Sequence, residues 1–443
     1  MIKRLSFNLA TLLLVLISST AVMAEDLLDV FAMSLKTDPQ LLAESSSRQA
    51  VAELESQAKA LFLPQVGLSA NAGRVWQDTS SSQNFVSGKR QSDEHGYSLS
   101  ITQPLYRRQN FVQREQADIA IDSAQASYQI VEQALIVRVA ERYFDVLGRK
   151  DDVTFAIAER EAIAQQLEQT QQRFDVGLAT ITDVVESQAA YDLANASVIS
   201  AENELANSRE RLRETSGSYS QSLSQLKSES PLVSPEPENI DEWSNVALNQ
   251  NPSLLVAKSA VDNAGQNIEL QKTGHYPTLD IVGQKSYNSQ SDSSFGGSSK
   301  TDQESIGLQF NLPIYSGGSV QSKTRESEHR LNQAMQNEEQ QRRSVVRQSR
   351  ESYNGVISGI SRVKALKQAV ASNEKALEST EAGYEVGTRT TVDVLNVRRD
   401  LFRARRDYAS SRYDYILSSL RLKQAAGTIS VDDLNKINQW LGE

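Results

Sequence analysis

Few residues of this chain have the type and spacing that chemistry needs. Its three histidines, His95, His275 and His329, lie far apart, and none has ligand partners at metal spacing. Cysteine is absent, which removes thiolate metal sites, a disulfide framework and a lipidated cysteine. Gly296-Gly297 and Gly317-Gly318 are not phosphate loops, because neither leads into a Gly-Lys-Ser/Thr at the head of a helix. Nothing places two acids, or a Ser/His/Asp set, in one concave site, so an exported hydrolase working through paired carboxylates finds no support. Two acids do stand out by position. Asp183 and Asp393 each follow a Gly-containing turn and precede a new helical stretch. There a short acid satisfies free backbone N–H groups as an N-terminal cap. By the same local reading Tyr384 is an interhelical packing residue and Arg389 a solvated charge near a helix start.

These two acids occupy one register of a doubled chain. Pro39, Pro64 and Pro104 recur as Pro252, Pro277 and Pro313 at offsets of 213, 213 and 209 residues. Pro231, Pro235 and Pro237 separate the halves. Arg173-Phe174-Asp175-Val176-Gly177 answers Gly383-Tyr384-Glu385-Val386-Gly387 at an offset of 210, and Asp183 answers Asp393 in step. A unit repeated in this way implies a pseudo-symmetry axis.

Two proline-free intervals, after Pro104 up to Pro231 and from Pro313 to the end, are rich in the helix formers Ala, Gln, Glu, Arg and Leu. Ile163, Leu167, Thr170 and Phe174, like Val198, Ala201, Leu205, Ser208 and Leu212, alternate steps of three and four, a coiled-coil spacing. The pattern predicts a helical path from about Tyr106 to Phe174, roughly 100 Å long, with a local interruption at Gly148. It turns near Gly177 and returns through about Lys227. The second repeat turns at Gly387, so two antiparallel helical hairpins result.

The opposite end of each repeat carries period-two alternation. Val66, Leu68, Ala70 and Ala72 alternate with polar residues or glycine, as do Tyr97, Leu99 and Ile101, and Ile306, Leu308, Phe310 and Leu312. Leu279 and Ile281 flank Asp280. Each run reaches about ten residues, the length of a transmembrane strand. The polar stretches Asp78–Glu94 and Asn288–Glu304 read as mobile surface loops. A half-buried sheet of a soluble domain fits less well, because little else is present to cover an apolar face. Four strands cannot close a barrel, so several chains must contribute, and two, three or four copies satisfy the pattern equally. Trp76, Tyr97, Tyr106, Tyr287 and Tyr315 flank the strands, as an interfacial aromatic belt would.

The 443 residues carry a formal charge of −10, which argues against a nucleic-acid partner. Only 6% are aromatic, and the mean hydropathy is −0.45, which suits long thin helices. Residues 1–24 read as an export signal, with Lys3 and Arg4, an apolar Leu9–Ile17 and a small-residue site at Val22-Met23-Ala24. Its removal would bring the charge to −12. No later apolar run is long enough for a membrane helix, so a membrane crossing would need strands in a closed barrel. The expected division is a first repeat over 25–230, with strands at about 64–76 and 96–106 and a helical tip near 174–183. A linker over 231–240 leads to a second repeat over 241–443, with strands at about 277–287 and 305–315 and a tip near 384–393.

Over nearly its whole mature length the chain resembles the TolC outer-membrane channel family. The words that carry the resemblance are Gln172-Arg173-Phe174-Asp175-Val176-Gly177-Leu178, Ile181-Thr182-Asp183-Val184 and Leu312-Pro313-Ile314-Tyr315-Ser316-Gly317-Gly318. The longest is Glu381-Ala382-Gly383-Tyr384-Glu385-Val386-Gly387-Thr388-Arg389-Thr390-Thr391-Val392-Asp393-Val394-Leu395. The resemblance implies an α+β, mainly α, fold and a homotrimer. Its twelve-stranded β-barrel would lie in the lipid of the outer membrane, on a twelve-helix periplasmic α-barrel, with a mixed band from the linker and C-terminus. It implies a passive exit duct for efflux or type I secretion, without cofactor. A periplasmic adaptor (membrane fusion) protein and an inner-membrane pump or ABC transporter would recruit it. The alternative is a periplasmic coiled-coil adaptor or structural protein without a pore.

By the same resemblance Asp393 lines the narrowest point, and threefold repetition makes a carboxylate ring that attracts cations and raises some of its own pKa values. Where the family commonly places a second acid, this chain has Asn396, so the ring is single. Thr182, Asp183, Tyr384 and Arg389 match positions that link neighbouring helices in the closed state.

Overall fold

The computed structural model describes residues 24–79, 88–220, 222–228, 230–291 and 297–442. The expected export signal, Ala24 apart, lies outside the described residues, as do Gly296 and the middles of the two polar stretches. The first half runs α1 (Leu27–Thr37), α2 (Pro39–Ala60), β1 (Gln65–Thr79), β2 (Gly88–Arg107), α3 (Arg108–Asp175) and α4 (Ile181–Ser216), then a short β3 (Gln225–Leu226). The second half runs α5 (Ile240–Gln250), α6 (Pro252–Lys272), β4 (Thr278–Gln290), β5 (Ser299–Asn311), α7 (Ser319–Glu385) and α8 (Thr391–Ala426). Helix α9 (Val431–Asn438) and strand β6 (Leu441–Gly442) close the chain.

The doubled prolines act at matching points. Pro39 and Pro252 each open a helix behind an Asx cap, Asp38 and Asn251, whose side chains accept from Leu41 N and Ser253 N. Helices α3 and α7 have 68 and 67 residues and so extend about 100 Å. The shorter α2 and α6 pack beside their strand-proximal halves, and α4 and α8 beside their far halves. Small side chains fill the α3–α4 seam: Thr170, Ser187, Ala194 and Ser208 are buried with Ile163, Val198 and Leu212. Seams of this kind let helix axes approach closely.

At mid-length the helices thicken into an apolar core. Leu27, Val30 and Phe31 of α1 meet Leu135, Val139, Tyr143 and Phe144 of α3, with Ile416 and Leu420 of α8 and Leu434 of α9. The Tyr143 hydroxyl donates to Ser224 O at 2.8 Å. The Tyr415 hydroxyl accepts from Val233 N at 2.7 Å and donates to Val233 O at 2.9 Å, pinning the linker to α8.

Four strands form one sheet, ordered β1-β2-β4-β5 and antiparallel throughout. Val66 pairs with Ile101, Leu68 with Leu99, Ile281 with Leu308 and Leu279 with Phe310. The alternation therefore gathers the apolar side chains on one face. Ile306, Leu308 and Phe310 are 83, 70 and 64% exposed, and among the described residues nothing covers them. Tyr97 stacks on Tyr287 across the β2–β4 pair, centroids 5.6 Å apart. Strands β1 and β5 are the two edges.

Several sequence expectations need correction. Helix α3 runs through Gly148 without a break: one glycine weakens a helix by only about 1 kcal/mol, and this one lies against the Tyr413 ring. The return helix α4 stops at Ser216 rather than near Lys227. Gly217 takes φ +75° and its N–H bonds Arg213 O, a left-handed C-terminal cap. Gln225–Leu226 pairs instead with Leu441–Gly442. The polar stretches are not wholly loops: Asp78 pairs with Lys89, and Gln290 with Ser299. Cross-strand ion pairs, Arg74 with Asp93 and Lys285 with Glu304, each at 2.5 Å, accompany those extensions. The strand expected over about 305–315 ends at Asn311, since Pro313 has no N–H to pair. Gly317 and Gly318, at φ +62° and +79°, then turn the chain into α7.

Candidate functional site

The far ends of the hairpins are two copies of one device. At the first, α3 ends at Asp175, Gly177 takes φ +78°, and its N–H bonds Phe174 O at 2.9 Å. At the second, α7 ends at Glu385, Gly387 takes φ +79°, and its N–H bonds Tyr384 O at 3.1 Å. Positive φ at both positions favours glycine.

The residues that cap the return helices are Thr180 and Thr390, not the acids themselves. Thr180 Oγ1 accepts from Asp183 N at 3.2 Å, while Asp183 Oδ2 accepts from Thr180 N at 2.9 Å and from its hydroxyl at 2.7 Å. Thr390 and Asp393 repeat the arrangement at 3.2, 2.9 and 2.9 Å. The spacing Thr-x-x-Asp is a capping box and was visible in the sequence. The Thr180 bonds lower the Asp183 carboxyl below its ordinary value, assisted by Thr391 and Arg173. The Thr390 bonds lower Asp393 in the same way, assisted by Arg389. Both acids are held as anions.

The two tips of one chain meet through Tyr384. The Arg173 guanidinium sits 4.6 Å from its ring centroid, and its hydroxyl lies 3.4 Å from Thr391 Oγ1. Thr391 also helps to lower the Asp183 carboxyl. Asp183 and Tyr384, matched to the same function by the resemblance, thus both neighbour a buried threonine that sequence reasoning missed. Thr182 and Arg389 are not brought into this network. Both are exposed, and among the described residues neither side chain makes a hydrogen bond or ion pair within the chain. Arg389 lays its stem against Gly383, where a Cβ would meet its Cγ at 2.8 Å. Asn396 is exposed one turn beyond Asp393 and accepts from Arg399 Nη2 at 3.1 Å. Val176, Leu178 and Val386 leave an apolar surface at the very end of the hairpins. Among the described residues no group of three metal-ligating side chains forms, and no helix is long and apolar enough to cross a membrane.

A sheet with an uncovered apolar face on helices of this length is the architecture of an outer-membrane channel. The chain belongs to the Outer membrane efflux protein family, whose match covers residues 30–218 and 243–428, one half after the other. It is 38% identical over 425 residues to outer membrane protein TolC of Vibrio cholerae serotype O1, covering 96% of this chain and 95% of that protein. It is 34% identical to outer membrane protein TolC of Escherichia coli (strain K12), covering 95% and 86%. With the alkaline protease secretion protein AprF of Pseudomonas aeruginosa it shares 27% identity, covering 93% and 86%. Among solved structures, CusC matches with a TM-score of 0.77 at 18% identity, covering 90% of this chain and 92% of that one. VceC of Vibrio cholerae matches at 0.74 and 17%, covering 90% and 96%. These structures share the fold. The protein is an exit duct of the outer membrane whose helices extend into the periplasm, and the reading as a pore-less adaptor is set aside.

Proposed function

We propose that three copies close the four-stranded sheets into one twelve-stranded barrel and the hairpins into one periplasmic tunnel. The observation that carries this reading is the open sheet: among the described residues its edges β1 and β5 are unpaired and its apolar face is bare, and four strands cannot enclose a pore. An even total of twelve lies in the range of closed membrane barrels. The duct performs no reaction, and a pump supplies the energy.

In this reading the tips form the gate. Asp393 projects into the narrowest point as a single carboxylate ring, with Asn396 a neutral tier beside it. Thr182, Asp183, Tyr384 and Arg389 hold the tips closed, Asp183 and Tyr384 through Thr391, and Thr182 and Arg389 against neighbouring copies. The exposed Val176, Leu178 and Val386 offer an adaptor its docking surface, through which an inner-membrane pump or ABC transporter recruits the duct. Relatives named for protease secretion and for efflux support both classes of cargo, small molecules and secreted proteins.

The test is ion conductance of the purified protein in planar bilayers. Wild type forms small cation-selective channels, Asp393→Ala loses the selectivity, and Arg389→Ser raises the single-channel conductance. Conductance with selectivity unchanged in Asp393→Ala would place the constriction elsewhere.

A further inference from the structure

Helix α8 presents Asp393, Asn396 and Arg403 on its exposed side and Thr391, Val394, Leu401 and Phe402 on its buried side. Arg398 belongs to the buried side, an apolar seam where a charge is out of place. Only 14% of its side chain is exposed. Its guanidinium forks to two different helices. One nitrogen donates to Glu381 Oε1 of α7 at 2.5 Å, and the other donates to Ala162 O of α3 at 2.5 Å. Glu381 sits one turn before Tyr384, so the fork stands directly above the tip network. Nothing in the family words that mark the gate includes Arg398.

We infer that Arg398 is a gate-positioning residue that locks the second hairpin to the first in the closed state. Helices α7 and α8 form one hairpin, and Ala162 belongs to the other. The fork therefore fixes the distance between hairpins as well as within one. A helix carbonyl already accepts from the amide four residues on, so Ala162 O serves a second donor only while α8 stays in register. A slide of one residue displaces the donor by about 1.5 Å and breaks the bond. The arginine is largely buried while Glu381 is 42% exposed, so losing the fork leaves a desolvated guanidinium without its partners. Higher up, Arg406 approaches Glu159 of α3 at 3.5 Å, a looser contact than the Arg398 fork.

This inference rests on the proposed gate, so the experiment carries Arg389→Ser as a control for that gate. Single-channel recordings in planar bilayers compare wild type, Arg389→Ser, Arg398→Ala, Arg398→Lys and Glu381→Gln. Loss of the charge-assisted fork is expected to raise open-state occupancy about tenfold in Arg398→Ala. Arg398→Lys, which cannot span both acceptors, rises less, and so does Glu381→Gln. Arg398→Ala combined with Glu381→Gln does not exceed Arg398→Ala alone, because Glu381 acts through that arginine. A rise in Arg389→Ser with wild-type recordings from every Arg398 and Glu381 variant would overturn the lock and leave the gate standing. Wild-type recordings from all variants would overturn both. If Arg398→Ala does not assemble, Arg398→Lys and Glu381→Gln decide the question by the same criterion. A lowered melting temperature with unchanged conductance would make Arg398 a structural residue only.

Discussion

Tyr413 of α8 donates a hydrogen bond to the Asp151 carboxylate of α3 at 2.7 Å. The tyrosine ring stacks on Phe144, centroids 5.6 Å apart, and lies over Gly148. The charged stretch beside Gly148, where the sequence predicts a local helix interruption, is thus a fastening point between hairpins. Burial raises the Asp151 carboxyl above its ordinary value despite the Tyr413 bond and nearby Arg412, and burial raises Asp152 and Glu159 likewise.

The sign of this shift gives a pH dependence. A carboxyl raised on folding binds its proton more tightly in the folded state, so its contribution favours folding at low pH and is eroded as pH rises from the ordinary carboxylate value through the raised one. Asp151→Asn keeps an acceptor for Tyr413 and removes that erosion. The variant should melt above wild type near pH 7, with the difference closing towards about pH 4. Thermal unfolding across that range checks it, and a difference that widens on acidification would contradict it.

Asp393 is set the other way. The Thr390 bonds lower it, so it remains charged above its ordinary value and is neutralised only as pH falls through a depressed one. Mutual repulsion within the proposed ring would act in opposition. Thr390→Val removes the hydroxyl bond and leaves the backbone bond. The midpoint of cation selectivity, titrated in planar bilayers, should therefore move to higher pH than in wild type, and a downward move would exclude the cap as its cause.

Arg107 and Asp280 join β2 and β4 at the base of the sheet through two bonds of 2.9 and 2.8 Å, with Asp280 buried. Removing the acid strands a guanidinium. Asp280→Ala should cost roughly 2–3 kcal/mol and lower the temperature at which the assembled protein dissociates in detergent. Asp280→Asn, which retains one acceptor, should lose less.

Two glycines with nearly the same backbone separate strain from collision. Gly387 has φ +79° and open space around it, so Gly387→Ala should cost only about 1 kcal/mol of left-handed strain. Gly427 has φ +76°, and a Cβ there would stand 2.5 Å from Gln250 O. Gly427→Ala should cost clearly more, at least about 2 kcal/mol, in thermal unfolding of the two variants side by side.

Much of this arrangement is legible in the sequence because it depends on local rules. Prolines behind Asx caps, glycines at positive φ and period-two strands each announce themselves within a few residues. The halting of α4 at Gly217 was legible too, but it competes with a helix-forming composition that continues past it. The threonine caps hide behind their more conspicuous acids. The Arg398 fork could not be read at all: its partners lie 17 and 236 residues away, on two helices whose rotation about their axes sets the contact. A buried arginine and a solvated one look alike in a run that includes Arg398, Arg399, Arg403, Arg405 and Arg406.

The sheet also settles a question of parity. Its strands alternate in direction from β1 to β5, so the two free edges of each copy point in opposite senses. When copies join around a rotation axis, the last strand of one therefore meets the first of the next antiparallel, whatever the number of copies. Had duplication left either half with one strand fewer, every seam between copies would be parallel and mismatched to the ladders inside them. Doubling a hairpin, rather than a single strand, makes the ring uniform. In such a ring nothing in the pairing would mark where one molecule stops and another begins.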